Sequence, residues 1–300
     1  MSDLPRILLI GSDGQVGWEL RRTLAPVGQV IAASVNGDAG PTVDLVDAAS
    51  VRRLFSETSP GAVVNAAAYT SVDRAENEPE LAQAINGDAL GLIAELAAAS
   101  RIPVLHYSTD FVFSGDTDRP YREDDVAEPR SVYGATKLAG ERALLDSDAD
   151  ALVFRTAWVY GVRGRNFLLT MLDLFNERTE LSVVDDQVGT PTWSRMLAEV
   201  SALVLHRIFR GDLDIAEVKG LYHVTGIGAT SWFGFAEAIR EATCSSCRLR
   251  PIPTTEYPAP ARRPAYSVLD TSRFRSTFGL SLPDWRQSLA LCLADLTCHS

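Results

Sequence analysis

"RILLIGSDGQVGWEL", residues 6–20, runs from an apolar stretch through three glycines into a helical pattern. Gly11, Gly14 and Gly17 stand in a GxxGxxG spacing directly after the strand-like run and at the mouth of the helix. That order meets three physical needs: a tight turn, a backbone able to approach a diphosphate closely, and a helix N-terminus whose free N–H groups face anionic oxygens. A glycine triplet alone can be a packing turn. Strand, glycines and helix in sequence predict the first βα unit of a dinucleotide-binding fold.

Outward from this unit the pattern repeats. The apolar runs "QVIAAS" (29–34), "AVVNAA" (62–67), "IPVLHYS" (102–108) and "ALVFRT" (151–156) alternate with helical stretches such as "SVRRLFSET", "PELAQAINGDALGLIAELAAAS" and "YGATKLAGERALL". Continuous apolar strands separated by helices indicate a parallel sheet covered on both faces. The expected fold is therefore α/β, a Rossmann-type doubly wound parallel sheet with a smaller C-terminal α/β substrate domain. Residues 1–156 form the dinucleotide-binding part and 157–300 mainly the sugar-nucleotide part, with a helix at 193–209 and a strand at 220–224 returning to the first. Prolines 251, 253, 258, 260 and 264 argue against any regular element over 250–264 and predict an ordered cover there.

With 28 basic and 39 acidic residues, the 300-residue chain carries a net charge of −11, the wrong sign for binding nucleic acid or an anionic membrane surface. The N-terminus lacks a signal-peptide pattern, and no stretch approaches the roughly 18 apolar residues of a membrane span, so a cytoplasmic protein is expected. Four cysteines are too few for a disulfide framework. Cys244 and Cys247 form one CxxC, which Cys298 and His299 could complete as a zinc site; ordinary thiols are the expected reading, and no metal site is predicted.

Further residues converge on the carboxyl ends of the strands. The acidic residue that usually grips the adenosine ribose about 20 positions on is replaced by Ser34, while Asp44 and Leu45 are placed to border the adenine. Asn65 is followed by the small Ala66, Ala67 and Ala68, which let a dinucleotide pass close to the third strand. "HYSTDFVFSG" places Ser108, Thr109 and Asp110 at the end of the fourth strand. In "SVYGATKLAGE", Tyr133 and Lys137 lie four apart on one helix face. A strand-end hydroxyl, a phenol and an ammonium over a nicotinamide form a set for hydride transfer to a ketone: Thr109 polarises it, Tyr133 donates the proton, and Lys137 lowers the phenol pKa.

Together with "NAAAYTSVDRAE", "RTAWVYG", "DDQVGTPT" and "GLYHVTG", these motifs resemble the extended short-chain dehydrogenase/reductases over residues 6 to about 290. Within that family the likeness is to enzymes that reduce a nucleotide-linked 4-keto-6-deoxy sugar. The resemblance implies NADPH or NADH as cofactor and reduction of the C4 ketone of dTDP-4-dehydrorhamnose to dTDP-L-rhamnose. It implies Thr109, Tyr133 and Lys137 as the catalytic trio. It also implies Gly14, Gln15, Val16, Ala68, Tyr69, Thr70 and Tyr107 as cofactor contacts, Asp110 and Trp158 as sugar contacts, magnesium dependence and a homodimer. Phe111 stands where the dehydratases of the superfamily carry glutamate, which favours reduction over elimination. Arg262 and Arg263, or Arg163 and Arg165, are candidates to meet the substrate diphosphate. His106 and His223 read as satisfied core residues. Alternatives are a non-catalytic NADP-binding regulatory subunit of the methionine adenosyltransferase β type, an epimerase-reductase acting on GDP sugars, or another nucleotide-sugar 4-ketoreductase.

Overall fold

The computed structural model describes residues 4–37 and 40–297; Cys298 and His299 lie outside the described residues. Six strands form one parallel sheet: β1 (Arg6–Ile10), β2 (Gln29–Ala33), β3 (Ala62–Asn65), β4 (Val104–Thr109), β5 (Ala151–Thr156) and β6 (Gly220–His223). They lie in the order β6-β5-β4-β3-β1-β2, all pairs parallel. The chain winds outward from β1 to β2 on one side and then crosses to β3 on the other, so the sheet reverses direction between β1 and β3. In open α/β sheets ligands bind outside the carboxyl ends of the strands at such a reversal.

Alternation along β1 explains why both faces are covered. Ile7 and Leu9 enter one apolar core with Leu20 of helix α1 (Gln15–Thr23) and Leu24, the C-cap of that helix. Leu8 and Ile10 enter another with Val51, Leu54 and Phe55 of α2 (Ala48–Thr58) and Leu90, Ile93 and Ala97 of α3 (Ala89–Ser100). Successive strand residues point to opposite faces, so a fully apolar run requires helices on both. A segment Pro79–Gln83 and a π-helical turn, Ala84–Asp88, precede α3. Helix α4 (Val132–Leu145) begins at Ser131, whose hydroxyl accepts from the Gly134 N–H at 3.1 Å. It crosses the π turn at close range: a Cβ on Gly140 would lie 2.0 Å from the Asn86 carbonyl oxygen. Glycine there lets α4 settle low over the sheet.

After β5 the chain builds a third apolar cluster around Tyr160, Trp193, Phe235 and Trp285. Helix α5 (Ser194–Arg210) returns to the first core through Leu197, Val204 and Leu205, and β6 joins the edge of the main sheet. The expectation that prolines exclude regular structure over 250–264 is corrected. Residues Arg248–Ile252 form a strand paired in parallel with Glu180–Val184, Pro251 opposite Val183, and Thr254–Glu256 form a 3-10 turn. In a two-stranded sheet each strand is an edge, and an edge position tolerates the loss of the N–H that proline lacks.

Candidate active site

The reversal of the sheet opens a cleft of about 840 Å³. Its floor is the glycine turn. Gly11 adopts φ +82°, and a Cβ there would stand 2.5 Å from the Ala67 nitrogen, so only glycine lets β1 turn this close to the loop after β3. Gly14 is the N-cap of α1, and no acidic side chain stands in its first turn. The first N–H groups of the helix are left to a ligand at this end, the electropositive pole of the helix.

Most of the expected residues line this one cleft: Gly11, Gly14, Gln15, Val16, Asp44, Leu45, Ala66, Ala67, Ala68, Thr70, Tyr107, Thr109, Asp110, Tyr133, Lys137 and Trp158. Gly17, Tyr69 and Arg262 are not among its lining residues. Gly17 is buried against the Gly11 carbonyl. Tyr69 turns outward, its phenol donating to Glu78 Oε2 at 2.5 Å and its N–H to Asn86 Oδ1 at 2.8 Å. Arg262 is exposed and its neighbour Arg263 faces the cleft, as alternation along an extended segment requires. Arg263 is fixed there by Asp73, with Nη2 to Oδ2 at 2.8 Å. Of the other pair, Arg165 lines the cleft, while Arg163 stacks on Trp18 at 3.8 Å in a second cavity.

At the end of β4 the chemistry concentrates. The Thr109 hydroxyl donates to Asp110 Oδ1 at 3.1 Å and accepts from the Phe111 N–H at 3.2 Å. Tyr133 lines the same cleft as Thr109, and its ring meets Phe111 edge-on at 5.6 Å. Burial pushes the Tyr133 phenol up to about 12, with Thr109 pulling the other way, and it pushes the Asp110 carboxyl up to about 6. Lys137 Nζ donates to the Tyr107 carbonyl at 2.7 Å and sits 3.0 Å from His106 Nε2, and burial pulls the lysine itself down to about 8.

Behind these residues, Arg155 of β5 and Glu141 of α4 form a buried two-armed pair at 2.9 and 2.6 Å that locks the helix to the sheet. Ser108 Oγ, Thr156 Oγ1 and Asp110 Oδ2 are buried with no protein partner, and all three residues line the cleft. Buried polar atoms are normally paired, so these three suit a ligand rich in hydroxyls. The cleft, its bare helix N-terminus and these atoms fit a dinucleotide. Among the described residues no group of three or more His, Cys, Asp or Glu side chains could hold a metal ion, so these residues show no fit for magnesium.

The match to known proteins covers nearly the whole chain. Residues 5–298 match the family model described as RmlD substrate binding domain. A Burkholderia thailandensis protein named dTDP-4-dehydrorhamnose reductase is 46% identical, over 97% of this chain and 99% of its own. The chain belongs to the dTDP-4-dehydrorhamnose reductase family. Two crystal structures of dTDP-4-dehydrorhamnose reductases superpose closely. One, from Clostridium acetobutylicum, has a TM-score of 0.88 at 36% identity, and the other, from Bacillus anthracis in complex with NADP, 0.89 at 32%; each covers 97% of this chain and 99% of its own. A residue that sequence reasoning missed is Trp232, which lines the cleft. Trp158, at φ +46°, stacks on Trp232 with ring centroids 3.5 Å apart. The aromatic cluster "SWFGF" was the available sign, but its target lies 74 positions away in the chain.

Proposed function

We propose that this chain reduces the C4 ketone of dTDP-4-dehydrorhamnose to dTDP-L-rhamnose with NADPH or NADH. The observation that carries the reading is the meeting of Thr109 and Tyr133 over the end of β4, in the same cleft as the bare N-terminus of α1. The bound nicotinamide supplies the hydride; the chain's own residues do the rest. Thr109 and Tyr133 donate to the ketone oxygen. A phenol near 12 keeps its proton at neutral pH, which is the form a reduction needs, and delivers it as the oxygen gains charge. Lys137 borders the place of the cofactor ribose, Gly14 and Gln15 that of its diphosphate, and Asp44 and Leu45 that of the adenine. Asp110, Trp158 and Arg263 face the sugar nucleotide. In this reading residues 1–156, with 193–209 and 220–224, hold the dinucleotide, and the rest of 157–300 holds the substrate, in a cytoplasmic homodimer.

The regulatory-subunit alternative is not favoured, since the relatives matched over nearly the full chain are named as reductases. The test follows NADPH and NADH absorbance with dTDP-4-keto-6-deoxy sugar. Tyr133→Phe should keep cofactor affinity and lose on the order of 10²-fold or more in kcat. Near-normal turnover in that variant refutes the proposal, and light scattering reads the dimer.

A further inference from the structure

The adenosine end of the cleft is lined by Asp13, Ser34, Val35, Val43, Asp44 and Leu45. A dinucleotide seated on the glycine turn lays its adenosine ribose at the end of β2, where an acidic side chain takes the 2′-hydroxyl of NAD or an arginine takes the 2′-phosphate of NADP. The end of β2 in this chain offers neither. Ser34 is 3% exposed, and its hydroxyl oxygen accepts from the Gly37 N–H at 3.1 Å, so it braces its own loop. No lysine or arginine stands between residues 34 and 43.

A carboxylate reaches the same place from the glycine turn. The Gly11 and Ser12 N–H groups donate to the Ala33 carbonyl at 2.9 and 3.2 Å, which ties the turn to the last residue of β2. Asp13 follows, exposed and in the lining of the cleft. Its Oδ2 lies 3.4 Å from Nδ2 of Asn36, two residues beyond Ser34. A carboxylate has two acceptor oxygens, so Asn36 can orient the group through one while the other meets a ligand hydroxyl. The cations of the cleft stand elsewhere. Lys137 is held at the Tyr107 carbonyl and Arg263 at Asp73. Arg165 follows Gly164, on which a Cβ would lie 3.1 Å from Gln15 Cγ, at the place of the diphosphate. Asp44 is itself acidic and accepts from the Val46 N–H at 2.9 Å. Among the described residues, the lining of the adenosine end therefore holds two carboxylates and no cation.

We propose that Asp13 sets the cofactor choice of this chain in favour of NADH: its carboxylate accepts a hydrogen bond from the 2′-hydroxyl of the adenosine ribose and repels the 2′-phosphate of NADPH. This choice rests on the reductase reading and deepens it, since either dinucleotide can supply the hydride. A 2′-phosphate replaces the hydroxyl donor with acceptor oxygens and carries roughly −1.5 to −2 charge at neutral pH, so a hydrogen bond is lost and a repulsion takes its place. The acidic residue absent from the end of β2 is in this way supplied by the turn after β1.

Calorimetric titration of the whole protein with NADH and with NADPH, in the absence of sugar, tests the choice. NADH should bind at least ~10-fold more tightly, and NADPH binding as tightly or more tightly overturns the proposal. Asp13→Asn keeps the size of the side chain and removes its charge, so the ratio of the two dissociation constants should fall by ~10-fold or more through tighter NADPH binding. Asp13→Arg should reverse the preference. A ratio unmoved in either variant overturns the proposal. Salt supplies a readout that a merely structural aspartate would not move. The carboxylate is exposed, so raising the ionic strength should narrow the wild-type ratio, and a ratio that holds or widens takes the charge of Asp13 out of the choice and overturns it. If the variants fail to fold, the wild-type ratio and its salt dependence still decide. None of these titrations contains a ketone, so a chain that reduced no 4-keto sugar could still prefer NADH, and the two failures are distinguishable.

Discussion

Asp110 shows what a single side chain costs when it is placed for a ligand. It is 2% exposed, one oxygen accepts from Thr109, and the other has no protein partner. Burial raises its carboxyl to about 6, above its ordinary value of 3.8. The folded state therefore holds a proton that the unfolded chain has already lost between about pH 4 and 6. Stability falls as pH rises through that window, and the full cost remains above it. Asp110→Asn should be more stable than the parent at pH 7.5 by up to ~3 kcal/mol, with the gain vanishing near pH 4. Urea unfolding at both pH values measures it, and an equal difference at the two would contradict the assignment of cause. Residues whose chemistry is local were readable from sequence: Thr109, Tyr133 and Lys137 announce themselves by type and spacing. Arg262 against Arg263, and the outward turn of Tyr69, depend on which side of an extended segment faces the cleft, and partners at Asp73 and Glu78 decide that. His106 was read as core and is buried as core.

The strand–turn–helix unit at residues 6–23 separates fold from function within three glycines. A Cβ on Gly17 would lie 1.9 Å from the Gly11 carbonyl oxygen, so Gly17→Ala must move the turn. A Cβ on Gly14 meets only that same oxygen, at 3.5 Å, and Gly14 has a φ of −70° that alanine adopts freely. Gly14→Ala should keep the melting temperature within about 2 °C while weakening NADPH binding at least ~10-fold, because the methyl intrudes where a diphosphate must approach. Gly17→Ala should lower the melting temperature first. Thermal melts and cofactor titration of both variants distinguish the roles, and unchanged NADPH affinity in Gly14→Ala would remove the turn from the cofactor site. The helices and central strands were legible because a helical period and the continuous apolar runs of strands covered on both faces are written locally. The strand at Arg248–Ile252 was not, because its prolines read as breakers until the partner strand Glu180–Val184 leaves it an edge.

Across the whole molecule, two clasps hold the C-terminal part against the sheet. Arg263 binds Asp73, which also accepts from the Ala261 N–H at 3.2 Å, and Asn166 Nδ2 donates to Gln15 Oε1 at 3.0 Å beside the glycine turn. Arg263→Ala should raise KM for the nucleotide sugar ~10-fold or more, as loss of a charge-assisted contact does, whereas exposed Arg262→Ala should leave it unchanged. Steady-state kinetics on the pair checks this, and equal KM values would take Arg263 out of substrate recognition. The Trp158 and Trp232 rings, nearly parallel at 2° and in contact, carry a further consequence. Two indoles this close share their electronic excitations, so they act as an optical sensor built into the wall of the cleft. A sugar that slides between them would abolish the paired near-ultraviolet circular dichroism bands, and one that rests against their outer side would leave those bands in place.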